Sequence, residues 1–235
     1  MNNAKDIVEA SGKAFIKELA SYLPLGRTAV EVYEELQSKQ IERKIKRLEE
    51  FYTSLASTVN AQNEKINQNY VAKEDFLDVF EEATRYVVSE RQDKKRQLFK
   101  NILANSICAS DCDFDRTERY FRLLDNLSEQ ELRVLAVLDN PKIYNQEHGM
   151  IIRDPFQSAY QSAWNEVTSM GVLTQVLGLK IHQVEESITI LFSNGLIIEN
   201  ATNRRLQTNG NGIHVLENLL TTRGRNFVNF LKEKQ

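Results

Sequence analysis

The chain has two cysteines among its 235 residues and no CxxC pair, which excludes a disulfide scaffold and the usual zinc ribbons. It has three histidines, so any Ser, His and Asp triad drawn from them is arbitrary. Long apolar runs are also missing. The longest charge-free stretches, Phe51–Asn63 and Val167–Leu179, are each about half polar and fall short of the roughly 18 apolar residues a membrane helix needs. Lys5, Asp6 and Glu9 stand where a secretory signal would place its apolar stretch, which argues against export and for a cytoplasmic chain. Excess charge of one sign is absent, since 30 Lys and Arg face 33 Asp and Glu. With 41% hydrophobic and 27% charged residues the chain suits a globular fold rather than wholesale disorder.

Glycine and proline are absent from residues 27–140, and six of the nine glycines lie after residue 170. A stretch without these breakers can hold long helices, whereas the last third uses them as turn punctuation. A first helix is expected over about 4–22, with Ile7, Phe15, Leu19 and Tyr22 as an apolar stripe. A second is expected over about 27–68. There Ile45, Leu48, Tyr52, Leu55 and Val59 recur at steps of three and four residues, close to a heptad. A third is expected over about 73–109, buried along Phe76, Phe80, Ala83, Val87, Leu98 and Ile102. Helices of that length reach roughly 50–60 Å, and two of them should pack as an antiparallel hairpin. Asp115-Arg116-Thr117-Glu118 and Ser128-Glu129-Gln130-Glu131 both have capping-box spacing and each should open a helix. Asn140-Pro141 should end the second of these, leaving 142–155 as a loop or short excursion.

The C-terminal pattern reads as helix Val172–Leu177, turn Gly178-Leu179, helix Ile181–Phe192 and a cap at Asn194-Gly195. A β-rich run at Leu196–Glu199 follows, then a polar loop Asn200–Gly212. Ile213–Leu219 reads as a return strand and Thr221–Lys232 as a closing helix. With Leu132–Leu138 as its first helix, this is the order of a winged helix-turn-helix. The fold class expected is therefore mainly α: a long N-terminal helical hairpin or bundle over 1–126, then a winged helix-turn-helix with a small β-wing over 127–235.

Two stretches carry a resemblance. Leu219-Leu220-Thr221-Thr222-Arg223-Gly224-Arg225 resembles the wing-to-helix exit of many bacterial winged-helix proteins. Lys95-Arg96-Gln97-Leu98-Phe99-Lys100-Asn101-Ile102-Leu103-Ala104-Asn105-Ser106 is followed by a short acidic loop and then by Tyr120-Phe121-Arg122-Leu123-Leu124-Asp125-Asn126-Leu127-Ser128-Glu129-Gln130-Glu131-Leu132. This arrangement resembles the abortive-infection alpha family of bacterial proteins over about residues 20–140. The resemblance implies a bacterial cytoplasmic protein, of a kind met near mobile elements and anti-phage genes. That family has no catalytic motif to carry over, and this chain departs from its pattern in the winged helix behind it.

No motif for an enzyme, cofactor or metal emerges. Asp111-Cys112-Asp113-Phe114-Asp115 alternates carboxylates as a calcium loop does, but Arg116 and Arg122 occupy the positions that need glycine and glutamate. Cys108 and Cys112 are four apart with no nearby histidine, leaving a redox pair open. Asn209-Gly210-Asn211-Gly212 lacks the strand and helix that frame a phosphate loop and reads as a wing tip. Arg91, Lys94 and Lys95 fall near one helix face, where a positive stripe could hold nucleic acid or acidic lipid.

Three functions stay open. The first is a non-enzymatic defence-type or regulatory protein that assembles copies or grips a protein partner through the seam Ile45, Leu48, Tyr52, Leu55 and Val59, together with the winged helix. The second is a DNA-binding transcriptional regulator, with Lys180, His182, Gln183, Ser187, Arg204 and Arg205 against double-stranded DNA. Residues 155–235 hold seven Lys and Arg against six Asp and Glu, so charge does not favour DNA. The third is a membrane-acting effector using the first helix, although packing of that helix explains its stripe without a membrane.

Overall fold

The computed structural model describes residues 23, 30–35, 42–62, 65–110, 113–149, 152, 168–198 and 213–233. Among them every regular element is a helix and none is a strand. The expected helix over 4–22, and with it the stripe of the membrane reading, lies outside the described residues, as do Arg204, Arg205, Cys112 and the polar loop 200–212. Contacts divide the chain into two units, Met1–Asn126 with Phe230–Gln235, and Leu127–Asn229.

The first unit is built from α1 (Glu42–Ala61), the single turn α2 (Gln68–Val71), α3 (Glu74–Ser89), α4 (Asp93–Cys108) and α5 (Phe114–Asn126). Helix α1 packs on α3 and α4, and α5 covers the other side of both. Aromatic rings fill the space between them. Tyr52 stacks on Phe80 at 5.6 Å, and Tyr86 stacks on Phe99 at 5.0 Å, with Phe121 tilted against both. This changes the expected hairpin in one respect. The helix read over 73–109 is two helices, broken at Glu90–Gln92 where the backbone is extended. Neither glycine nor proline makes the break; side chains do. Glu90 accepts the Gln92 N–H at 2.8 Å and lies 3.5 Å from Lys95 Nζ. Arg96 donates to the freed carbonyls of Glu90 and Arg91. Helix α5 likewise starts earlier than its sequence spacing suggests. Asp113, not Asp115, is its cap, accepting the Arg116 N–H at 2.6 Å.

From Phe99 to Ile107 helix α4 is buried all round, polar residues included, and Lys95 is buried before it. Lys95 donates to the Asp125 carbonyl at 2.8 Å. Asn101 donates to the Leu231 carbonyl, and Asn105 to those of Phe230 and Lys232, while Lys100 pairs with Glu233 at 3.1 Å. The last carbonyls of a helix have no partner within it, and these amides supply one.

The second unit holds α6 (Glu129–Asp139), α7 (Pro141–Glu147), α8 (Ser169–Leu177), α9 (Ile181–Ser193) and α10 (Thr222–Leu231), whose last two residues count with the first unit. The capping box at Ser128–Glu131 forms as its spacing predicts. Asn140 ends α6 and also opens α7, with its side chain accepting the Ile143 N–H and Pro141 in the first turn. Residues 141–147 are therefore helix rather than the loop expected. Helices α8 and α9 turn at Gly178, whose φ of 63° is a left-handed angle that glycine takes at little cost. Both pack on α6.

The expected return strand Ile213–Leu219 does not form. Residues 213–218 are turns, and their buried members, Val215 and Leu216 followed by Leu219 and Leu220, are spaced as in a helical coil rather than by alternation. Antiparallel pairing among the described residues is a single bridge, Ile197 to Leu220. It is flanked by Ile198 N–H to Leu219 O and Thr221 N–H to Leu196 O.

Candidate functional site

Helix α9 follows the Gly178 turn and packs on α6 and α8, with its other side open to solvent. Val184, Ile188 and Leu191 are buried, and Ser187 is buried between them. Beneath α9, Gln130 Nε2 donates to the Gln183 carbonyl and to Ser187 Oγ, both at 2.7 Å. Glu131, only 4% exposed, accepts the Ser128 N–H on one oxygen and lies 3.2 Å from the Ser187 hydroxyl on the other. This polar node and the apolar side chains around it fix which side of α9 faces solvent.

The outward side carries Ile181, His182, Glu185, Glu186, Thr189 and Phe192. Ile181 is 60% exposed and Phe192 is 45% exposed, though both are large and apolar. Eleven residues apart, the two share one line along the helix, which passes exposed Glu185 and buried Ile188 and so edges the outward side. At 1.5 Å per residue they lie roughly 16 Å apart. Among the described residues, the four exposed large apolar side chains are Ile143, Ile181, Phe192 and Ile198, and all belong to the second unit.

Charge on this face is negative. The only described lysine or arginine on α9 or its cap is Lys180, at the start of the helix. Its backbone N–H donates to Gln183 Oε1 at 2.9 Å, the return half of a capping box; a lysine side chain has no acceptor to supply the other half. Elsewhere in the second unit Arg133 donates to the Leu177 carbonyl and Arg225 to the Leu220 carbonyl. Lys142 pairs with Glu217 at 2.9 Å. Hydrogen bonds from Lys142 and then His214 hold the Glu217 carboxyl below its ordinary range, so Lys142 is paired within the unit, whereas Arg223 is exposed.

The residues singled out in the sequence therefore separate. Lys180 and His182 are exposed, Gln183 is half-buried, and Ser187 is sealed under the helix where no base edge reaches it. Ser187 thus leaves the set of nucleic-acid contacts. Arg204 and Arg205 lie outside the described residues. In the seam, Leu48, Tyr52, Leu55 and Val59 are buried in the core of the first unit and only Ile45 is partly exposed. The seam is used within the chain, against α3 and α4, and is not a surface on which copies can assemble. The positive stripe also breaks up: Arg91 and Lys94 are exposed, but Lys95 is buried against Asp125 and Glu90. Cys108 is half-buried. Among the described residues no three His, Cys, Asp or Glu side chains gather as metal ligands, and no helix is long and apolar enough to cross a membrane.

Sequence reasoning missed Ile181 and Phe192 as surface residues. The helical wheel places these two as an extension of the apolar arc of Val184, Ile188 and Leu191, but it does not show how much of that arc the core beneath α9 covers.

Comparison with protein-family models, with curated proteins and with solved structures finds no match to this chain.

Proposed function

We propose that this chain is a non-enzymatic regulatory or defence-type protein of the bacterial cytoplasm whose C-terminal unit is a winged helix used to dock a protein. The observation that carries this reading is the outer face of α9, where exposed Ile181 and Phe192 lie along one edge beside Glu185, with Glu186 farther round the same exposed side. A helix that lies in a DNA groove works beside phosphates and is favoured by cations. An apolar pair beside two carboxylates suits a protein surface with two shallow apolar pockets and a cation beside them. The winged-helix assignment draws on helices α6, α8 and α9, the Gly178 turn and the Ile197–Leu220 bridge. The defence-type role draws on the resemblance of residues 20–140 to the abortive-infection alpha family.

Photo-crosslinking in the bacterial cell tests the reading. A photoreactive amino acid replaces Phe192, and the adducts are treated separately with protease and nuclease. The expected adduct is destroyed by protease, survives nuclease and is lost when Ile181→Asp is added. A nuclease-sensitive adduct would overturn the docking reading in favour of a DNA-binding regulator.

A further inference from the structure

The first unit carries a surface complementary to the α9 face. The start of α1, the end of α3 and the start of α4 meet at one end of that unit. Arg47 donates to the Val88 carbonyl at 2.9 Å, and Arg96 lies 3.8 Å from Glu50. Residues 42–50 and 90–100 together contain nine Lys and Arg against five Asp and Glu, and of the nine Arg47, Lys95, Arg96 and Lys100 are bound within the unit. Glu233, paired with Lys100, raises the acids to six. Arg43, Lys46, Arg91 and Lys94 are exposed, and Ile45 is partly exposed among them. Arg43 and Lys46 continue the stripe of α1 that runs through Arg47, Glu50 and Phe51. Between α1, α3 and α4 this stripe borders a small cleft of about 130 Å³, lined mostly by polar and charged side chains, with Phe51 and Val87 as its apolar members.

From this pairing we infer that copies of the chain associate head to tail, the α9 face of one copy seating on the basic end of the first unit of the next. This rests on the docking reading above and names its partner as a second copy. A contact between two copies of α9 is disfavoured. An antiparallel pairing that matches Ile181 with Phe192 of the second copy also brings the two Glu185 carboxylates close together. On the basic end the same carboxylates meet Arg43 and Lys46, and Ile181 and Phe192 gain Ile45 and the mouth of the cleft. Because the two surfaces differ, the contact is heterologous: it closes into a ring or extends as a filament.

Light scattering and sedimentation of the nuclease-treated full chain test this across concentration and salt. The expected result is a mass that rises above the 27.1 kDa of one chain with concentration and falls back as salt is raised. Glu185→Lys with Glu186→Lys, and separately Arg43→Glu with Lys46→Glu, should each weaken association by roughly tenfold or more. Circular dichroism verifies that both variants keep their helices. An equimolar mixture of the two should associate again, because each surface then meets its opposite charge. A chain that stays monomeric at every concentration overturns the inference, as does a mixture that fails to recover. A monomeric chain whose Phe192 crosslinks to a different protein overturns only the second-copy assignment and leaves the docking reading in place.

Discussion

The Ser187 hydroxyl stands 3.2 Å from a carboxylate oxygen of Glu131, and both side chains are buried. The contact couples the cap of one helix to the orientation of another. Glu131 closes the start of α6 by accepting the Ser128 N–H at 2.6 Å, and its second oxygen meets the concealed side of α9. Any function of the α9 outer face depends on this pairing, because rotation of α9 would bury Ile181 or expose Val184.

Replacing Glu131 separates its two roles from its bulk. Glu131→Ala removes the acceptor of the Ser128 N–H and the carboxylate beside Ser187, whose hydroxyl keeps the Gln183 carbonyl at 2.9 Å, so it should cost about 1–2 kcal/mol. Glu131→Gln should cost less, since an amide oxygen still accepts the Ser128 N–H and the amide nitrogen can donate to Ser187 Oγ. Urea unfolding followed by circular dichroism measures both, and an unchanged midpoint for the alanine variant would refute the role assigned to the node.

Tyr52 predicts the opposite sign. Its ring is buried on Phe80, but its hydroxyl makes no hydrogen bond, and the nearby Thr84 hydroxyl donates instead to the Phe80 carbonyl at 2.9 Å. Burial pushes the Tyr52 phenol well above its ordinary range, and the proximity of Thr84 offsets that only in part. Tyr52→Phe should therefore be neutral or stabilising by up to about 1 kcal/mol. The pH dependence has a definite sign. The contribution is complete below the unfolded phenol value of about 10 and is lost as pH rises beyond it, because the unfolded chain gives up its proton first. Stability curves from pH 8 to 11 should fall less steeply for the phenylalanine variant.

What the sequence made legible was local. Ser128 to Glu131 is a four-residue signal, and the Gly178 turn needs only one residue of special conformation, so both could be read directly. The break at Glu90–Gln92 could not, because the carbonyls it frees are satisfied by Arg96 and its geometry is held by Glu90 with Lys95, a set of polar contacts that no helix-breaking residue announces. The expected strand at 213–219 failed for a different reason. Apolar residues at 213, 215 and 219 imitate alternation, while the core takes Val215, Leu216, Leu219 and Leu220. At the candidate site the helix and its buried side were legible. The apolar edge at Ile181 and Phe192 was not, since a wheel gives direction but not how far the supporting helices reach.

The break itself is testable through pH. Burial pushes the Glu90 carboxyl upward, but hydrogen bonds from the backbone of Gln92 and the charge of Lys95 outweigh it, leaving the group below its ordinary range. A depressed folded value contributes stability above the unfolded carboxyl value of about 4.3 and loses it as pH falls through the folded value. Glu90→Gln should thus lower the melting temperature at pH 7 and match the wild type at the acid end. A constant gap between the two melting curves from pH 7 to pH 3 would show that the charge of Glu90 is not what holds the break.

Two glycines of the second unit separate conformational strain from overlap. At Gly178 a methyl group would meet nothing within 4 Å, but the residue has a φ of 63°. Gly178→Ala should therefore cost about 1 kcal/mol from backbone strain alone, and Gly178→Asn less, because asparagine tolerates the left-handed region. At Gly224 the backbone angles are ordinary, yet a methyl group would overlap the Leu196 carbonyl oxygen. That oxygen cannot move freely, since it accepts the Thr221 N–H at 3.0 Å beside the Ile197–Leu220 bridge. The Gly224 N–H is itself held by the Thr221 hydroxyl at 2.9 Å. Relief of the overlap must push the start of α10 away from the segment that follows α9, so Gly224→Ala should cost about 3 kcal/mol, at the upper end for overpacking. Denaturant midpoints should rank wild type, Gly178→Asn, Gly178→Ala and Gly224→Ala in falling order. A Gly224→Ala variant as stable as wild type would mean that the close approach of Thr221–Arg225 to Leu196 is not part of the folded second unit.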